Sequence, residues 1–92
     1  MNAHAPSTTK VTVKFPLGTG EPYKATEPDD TTIGTIRTAA MAHFGVHEDP
    51  GSRYYLTHGP HHDELEDTAT ICSVAGEAHA VELTLVKELI QG

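Results

Sequence analysis

The residues best suited to bind a metal ion form a histidine-rich segment. His58, His61 and His62 lie close together, and Asp63 and Glu64 follow directly. Imidazole groups are good ligands for transition metals. However, the spacing matches no standard structural zinc pattern, and the chain has no pair of cysteines to complete one. We therefore predict a solvated polar loop and no metal site.

The single cysteine, Cys72, is the other candidate for chemistry. It lies between Ile71 and Val74 in a segment expected to form a short helical turn, which favours a small buried side chain over a nucleophile. The sequence shows no Ser-His-Asp arrangement, no phosphate-binding loop and no carboxylate pair placed for acid–base chemistry. A chain of 92 residues leaves little room for a substrate cavity. We therefore predict that the protein is not an enzyme and needs no cofactor.

A single long amphipathic helix is predicted between Asp30 and Gly45. Its apolar residues recur at helical spacing and form one stripe: Ile33, Ile36, Ala40 and Phe44. Asp30 or Thr31 can accept hydrogen bonds from the first free backbone N–H groups, so either is expected to be the N-cap. Gly45 can adopt the left-handed conformation that ends a helix. The rest of the chain must provide the surface on which this stripe packs.

Alternation of apolar and polar residues predicts strands on both sides of the helix. Lys10–Phe15 alternates strictly, and residues 23–26 follow after a turn rich in glycine and proline, which together indicate a hairpin. After the helix, strands are expected at Arg53–Thr57, as a short edge strand at residues 63–67, and at residues 80–87. We predict an α+β fold in which a mixed sheet of four to five strands has one main helix packed across one face. The last strand is expected in the centre, beside the first.

The chain is expected to form one domain with two flexible ends. Residues 1–9 are small and polar and include a proline, so we predict a leader that contributes nothing to the fold. The domain is predicted to span residues 10–88, which suits one modest core. Residues 89–92 are predicted to be a flexible C-terminal tail.

Charge and composition restrict the partners. Six basic residues against thirteen acidic ones give a formal net charge of −7. This charge disfavours nucleic acid and anionic membranes and suits a basic protein partner. No apolar run approaches the roughly 18 residues of a membrane span, and the N-terminus lacks the apolar centre of a signal peptide. With one cysteine no internal disulfide can form, so we expect a cytoplasmic protein that binds neither nucleic acid nor membrane.

The order and spacing of these elements resemble ubiquitin and its β-grasp relatives over nearly the whole chain after residue 9. Glu27–Thr31 resembles ubiquitin's approach to its helix, and Leu65–Asp67 resembles the Leu-Glu-Asp of its short fourth strand. Leu83–Val86 resembles its final strand, which leads to a glycine at the same distance. The ending Lys87–Gly92 is most similar to bacterial ubiquitin-like modifiers, which are encoded beside activating and conjugating enzymes. Three features differ from ubiquitin: the Gln91-Gly92 ending in place of a double glycine, an acid at Glu88, and a longer loop around His58–His62.

The resemblance implies that the functional group is the carboxylate of Gly92. An E1-like activating enzyme would adenylate it, and an E2-like conjugating enzyme would pass it to amines of target proteins. Glycine has no Cβ, so it fits a narrow enzyme channel and permits many backbone paths. Leu89, Ile90 and Gln91 would be recognised along that channel.

A partner-binding face is also implied, on the side of the sheet opposite the helix. The residues that the expected register places near this face are Tyr55 or Leu56, together with Thr84 and Val86. Exposed apolar groups ringed by polar residues are typical of interfaces. The alternative is that these side chains pack on the helix or cover the sheet edge.

Two other functions remain open for such a fold. One is a non-covalent adaptor, like the small ubiquitin-like components of bacterial secretion or oxygenase systems, which would need the folded surface and no free C-terminus. The other is a sulfur carrier that bears a terminal thiocarboxylate. Such carriers usually end in double glycine, so Gln91 counts against that function.

Overall fold

The computed structural model describes residues 7–18, 20–59 and 63–90. Within these residues, four strands form one mixed sheet: β1 (Thr8–Lys14), β2 (Tyr23–Pro28), β3 (Ser52–His58) and β4 (Ala80–Leu89). The main helix is α1 (Ile33–Phe44), and a short helix α2 (Ile71–Ala75) leads through a single 3₁₀ turn (Gly76–Ala78) into β4.

The strand order in the sheet is β2-β1-β4-β3. β1 pairs antiparallel with β2 and parallel with β4, so that Lys10 lies opposite Ala80. β3 pairs antiparallel with the other side of β4. The predicted α+β class and the central position of the last strand beside the first are both confirmed.

The core lies between the sheet and α1. The helical stripe predicted from the sequence is confirmed, since Ile33, Ile36 and Ala40 are fully buried and Phe44 packs against them. The sheet contributes alternate residues from its two inner strands, β1 and β4, and from the edge strand β3: Val11, Val13, Tyr54, Leu56, Val81, Leu83 and Leu85. This alternation follows from strand geometry, in which successive side chains point to opposite faces.

The N-terminus of α1 begins one residue later than predicted. Thr32 is the N-cap, and its hydroxyl oxygen accepts a hydrogen bond from the backbone N–H of Thr35 at 3.3 Å. The prediction of Asp30 or Thr31 as N-cap was wrong, because the carbonyl of Thr31 instead accepts from the N–H of Ile71 at 2.7 Å. The start of α1 is therefore set by its contact with α2.

The left-handed C-cap predicted for α1 is confirmed. Gly45 has φ of 71° and its N–H donates to the carbonyl of Ala42 at 3.2 Å. Glycine adopts this conformation without the steric cost that a Cβ brings.

The sheet extends into the segment predicted to be a leader. β1 begins at Thr8, which pairs with Pro28. Thr9 is fully buried, and its hydroxyl donates to Asp29 Oδ1 at 2.8 Å. Thr8 and Thr9 of the predicted leader therefore belong to β1, and the carbonyl of Ser7 accepts from the N–H of Asp29 at 3.0 Å, whereas residues 1–6 lie outside the described part.

The short edge strand predicted at residues 63–67 is wrong, since these residues form no strand. The N–H of Leu65 donates to the carbonyl of Leu56 at 2.9 Å, and the chain then turns towards α1. There the N–H of Gly34 donates to the carbonyl of Asp67 at 3.0 Å. A Cβ at Gly34 would lie only 3.2 Å from the Cβ of Asp67. This glycine thus allows the turn to pack directly on the helix instead of continuing along β3.

Candidate functional site

The C-terminal end of β4 is held against β3 and the turn that precedes it. Leu89 pairs with Ser52, and the N–H of Ile90 donates to the carbonyl of Gly51 at 2.9 Å. The predicted tail therefore starts too early at residue 89, because backbone pairing with β3 continues beyond Glu88. β4 ends at Leu89, and the hydrogen bond of Ile90 extends the contact by one residue.

The turn before β3 presents the carbonyl that binds Ile90. Asp49 Oδ1 accepts hydrogen bonds from the N–H of Gly51 at 2.8 Å and from the hydroxyl of Ser52 at 3.1 Å. These hydrogen bonds, that of the Gly51 N–H first, lower the pKa of Asp49 below its ordinary value of 3.8. The ionised carboxylate thus stabilises the turn on which the end of β4 rests.

The side chains at this end of β4 are apolar and exposed. Leu89 is 72% exposed and Ile90 is 44% exposed. Neighbouring apolar side chains in water are typical of a surface that contacts another protein. Their recognition by a partner stays a prediction, and the other two residues of the predicted tail site, Gln91 and Gly92, lie outside the described residues.

Arg53 lies beside the end of β4 and connects three structural elements. Its Nη1 donates to Glu88 Oε1 at 2.7 Å, and its Nη2 donates to Oε2 of Glu64. The guanidinium carbon also lies 5.2 Å from the ring centre of Tyr55, within the range of a cation–π contact. The hydrogen bonds to Glu64 and Glu88 raise the pKa of Arg53 above its ordinary value.

Sequence reasoning did not single out Arg53. Its role depends on the pairing of β3 with β4, which places Arg53 directly opposite Glu88. The available signal was the opposite charges of Arg53, in a predicted strand, and Glu88, directly after the last predicted strand. Recognising it required a register that local patterns do not supply.

The sheet face opposite α1 carries part of the predicted partner-binding surface. Tyr55 and Val86 pair across β3 and β4, and both are partly exposed, as is Thr84. Leu56 does not belong to this face, because it is fully buried and shares the helix side of β3 with Tyr54. Alternation along the strand then directs Tyr55 outward. The predicted surface is thus reduced to Tyr55, Thr84 and Val86, and its role in binding stays a prediction.

The histidine-rich segment is described only in part. His58 ends β3, but residues 60–62 lie outside the described residues. Elsewhere, among residues 7–18, 20–59 and 63–90, no group of three or more His, Cys, Asp or Glu side chains lies close enough to hold a metal ion.

Cys72 differs from its predicted environment. It is partly exposed, and its Sγ lies 3.4 Å from the hydroxyl oxygen of Thr70. The buried position of this segment is taken by Ile71, which is fully buried and faces the core. The prediction that Cys72 is buried was therefore wrong, because the neighbouring Ile71 occupies the buried position of α2.

None of the helices in the described part of the chain has the length and apolar sequence that a membrane span requires.

Comparison with solved structures identifies the architecture. A ubiquitin from Caldiarchaeum subterraneum matches 92% of this chain and 99% of its own, with 24% sequence identity and a TM-score of 0.68. The fold is the ubiquitin-like β-grasp. A structure described as molecular mimicry of SUMO that promotes DNA repair matches 90% of this chain and 95% of its own, with 13% identity and a TM-score of 0.65. A ubiquitin-like protein from the same hyperthermophilic archaeon matches 90% of this chain and all of its own, with 24% identity and a TM-score of 0.54.

No protein-family model and no curated protein matches the sequence. The likeness is therefore one of structure, and it confirms the predicted ubiquitin-like fold. β4, the last strand, lies in the centre of the sheet, and the hydrogen bond from the Ile90 N–H to the Gly51 carbonyl follows its end.

Proposed function

We propose that this protein is a ubiquitin-like modifier that is joined to target proteins through the carboxylate of Gly92. An E1-like enzyme joins the carboxylate to AMP and releases pyrophosphate from ATP. A cysteine thiol of the enzyme then displaces AMP, and after transfer to an E2-like enzyme a target amine displaces the thiol to form an isopeptide bond. All catalytic groups belong to the partner enzymes, and this chain contributes no catalysis and no cofactor. The same proposal places the protein in the cytoplasm.

The observation that carries this proposal is the exposed end of β4 in a ubiquitin-like fold. β4 ends at Leu89, and the apolar side chains of Leu89 and Ile90 are exposed there. Gly92 follows two positions later. An apolar segment that ends in a residue without a Cβ suits a narrow protein channel, in which side chains anchor the segment and the glycine passes.

Conjugation is tested with protein that ends at Gly92, co-expressed with activating and conjugating enzymes encoded beside it. Digestion with trypsin after Lys87 would leave residues 88–92 attached to a target lysine, which mass spectrometry detects as a defined mass increase. Gly92→Ala is expected to abolish these adducts, and the matched control Thr26→Ser, on the exposed side of β2, is expected to retain them. Adducts that persist with Gly92→Ala would rule out this mechanism.

The outward face of β3 and β4 is proposed as the contact surface for partner enzymes and targets. Tyr55 and Val86 form a partly exposed pair there, beside Thr84. Aromatic anchors of this kind are enriched in protein interfaces. Tyr55→Ser is expected to weaken binding of the activating enzyme in a titration, whereas Lys24→Ser on β2 is expected to have little effect.

A non-covalent adaptor is the second candidate, favoured by the backbone pairing of the last described residues. The N–H of Ile90 is bound to Gly51, so the end of β4 is part of the folded surface. An adaptor uses that surface and needs no free carboxylate. Fusing a small domain after Gly92 separates the two functions, because an adaptor retains its partners and a modifier loses conjugation.

A further inference from the structure

We propose that Arg53 and Glu88 form a latch that holds the end of β4 on β3 and limits how far Gly92 can reach. The functional consequence rests on the proposed conjugation at Gly92. The latch itself is a property of the isolated protein, so its existence and its effect on conjugation are tested separately.

The geometry of the pair is that of a cross-strand contact. Arg53 lies directly opposite Glu88 in the β3–β4 register, with Nη1 to Oε1 at 2.7 Å. Opposite charges in such positions stabilise strand pairing. Glu64, in the segment after β3, binds the other end of the guanidinium and so fixes its orientation. Two carboxylates from different segments thus hold one cation at the base of the C-terminal residues.

Little else holds this end of β4. Glu88, Leu89 and Ile90 are all exposed, so none of their side chains anchors the strand in the core. What remains is backbone pairing, with the Ile90 N–H bound to Gly51. Strand ends with few buried contacts open more readily than the core. The ion pair is therefore placed where a small stabilisation changes the fraction of molecules in which the end is open.

The latch is also weak enough to open. The side chains of Arg53, Glu64 and Glu88 are 35%, 46% and 50% exposed, so water and salt compete with their pairing. Exposed pairs of this kind shift an equilibrium by a small factor. The latch adjusts the open fraction without locking the strand.

Opening changes the reach of the terminus. A residue of extended chain spans at most about 3.3–3.6 Å, so two residues beyond Ile90 extend by about 7 Å. If the strand separates after Lys87, five residues extend by about 17 Å. A reactive centre that lies more than about 7 Å deep in a partner enzyme would therefore be reached only by the open form.

Amide hydrogen exchange of the isolated protein tests the latch. Glu88→Gln removes the charge and is expected to raise the exchange rate of the Ile90 N–H about two- to fivefold, after correction for its intrinsic rate. The matched control is Glu82→Gln, which removes the 3.6 Å pair with Lys14 on the same sheet and is expected to leave Ile90 unchanged. The N–H of Ile36 in α1 reports whether the whole fold is intact.

Two results would overturn the latch. One is an unchanged Ile90 rate in Glu88→Gln, and the other is an equal rise at Ile36, which would show that the fold as a whole is destabilised. A salt series gives a second measurement. Adding salt is expected to speed exchange at Ile90 in the unmodified protein and to have little effect in Glu88→Gln, because only the former has the Arg53–Glu88 pair across β3 and β4 to screen.

The functional arm compares conjugation rates. With activating and conjugating enzymes present, Glu88→Gln is expected to form adducts faster, and faster exchange at Ile90 without faster adduct formation would contradict the link between latch and reach. If neither the unmodified protein nor any variant forms adducts, the proposed function fails, but the hydrogen-exchange measurement still shows whether the latch exists. The two failures are therefore distinguishable.

Discussion

Arg37 holds Asp67 through two hydrogen bonds, from Nε to Oδ1 at 3.1 Å and from Nη2 to Oδ2 at 2.8 Å. Its Nη1 also lies 3.5 Å from a carboxylate oxygen of Glu48. The hydrogen bond to Asp67 is the main cause that raises the pKa of Arg37 above its ordinary value. Because the Arg37 side chain is only 18% exposed, this planar fork is partly shielded from water. It fastens the turn after β3 to α1 at the place where a fourth strand was expected.

Replacing Arg37 with methionine tests the contribution of this fork to stability. Arg37→Met keeps an apolar stem and removes the charge, and it is expected to lower the free energy of unfolding by about 1 kcal/mol. Urea denaturation measures the change. The control Lys14→Met removes a pair whose side chains are 55% and 66% exposed, and its expected cost is below about 0.5 kcal/mol. Equal costs for the two variants would contradict a special role for the fork.

Substitutions at two neighbouring residues test which face of β3 each side chain occupies. Leu56 is fully buried, so Leu56→Ala is expected to cost about 2–5 kcal/mol in unfolding free energy. Tyr55 faces outward, and Tyr55→Ala is expected to cost about 1 kcal/mol or less. Chemical denaturation of both variants under the same conditions gives the comparison. The reverse order would mean that the strand side assigned to each residue is incorrect.

The N-terminal extension of β1 gives a third prediction. Thr9→Val removes the hydroxyl that binds Asp29 and is expected to destabilise the fold by about 1 kcal/mol, because a partly buried acceptor loses its donor. Thr8→Val is the matched control, since Thr8 is exposed and adjacent. Thermal denaturation distinguishes them. If both variants melt like the unmodified protein, residue 9 contributes nothing to stability, as the sequence had suggested.

The turn at Asp49 gives a prediction with a defined pH dependence. The pKa of Asp49 is lower in the folded state than its ordinary value of 3.8. Its stabilisation is therefore fully present above that ordinary value and is lost as the pH falls through the lower folded value. The unmodified protein is expected to melt above Asp49→Asn at neutral pH, and the difference in Tm is expected to shrink as the pH falls below about 4. A difference that widens on acidification would contradict this assignment.

The helix and the strands were predictable because their signals are local. Ile33, Ile36 and Ala40 recur with the helical period, and Val11 and Val13 alternate with polar residues. These patterns state which faces must be buried. Together with short connections, they were sufficient to predict one helix across a mixed sheet with the final strand in the centre.

The features that sequence reasoning missed depend on contacts between distant segments. Thr32 became the N-cap because Thr31 is bound by Ile71, far along the chain. The segment around Leu65 had the composition of a short strand, but the fork from Arg37 draws the turn that follows it to the helix. The local sequence around a residue does not reveal which distant residues it will contact.

In the candidate site, too, some features have a local sequence signal and others depend on contacts between distant segments. Leu89 and Ile90 were named through the resemblance to ubiquitin-like modifiers, and the structure shows both side chains exposed. The sequence left open which residue of the Tyr55–Leu56 pair faces the helix, because both types are compatible with burial. The Arg53–Glu88 contact required the register of two strands that the chain joins only through a long connection.

The parallel pairing of β1 with β4 has a consequence for how the protein is made. Lys10 meets Ala80, so the central hydrogen-bond ladder joins segments from opposite ends of the sequence. Such distant pairing slows folding, since the intervening chain must close a large loop before the ladder forms. During synthesis Val11 and Val13 can pair with β2, but they wait for β4 until nearly all of the polypeptide has been translated. A chain truncated before Ala80 would leave one edge of β1 without its partner strand, and such an open apolar edge is a template for aggregation.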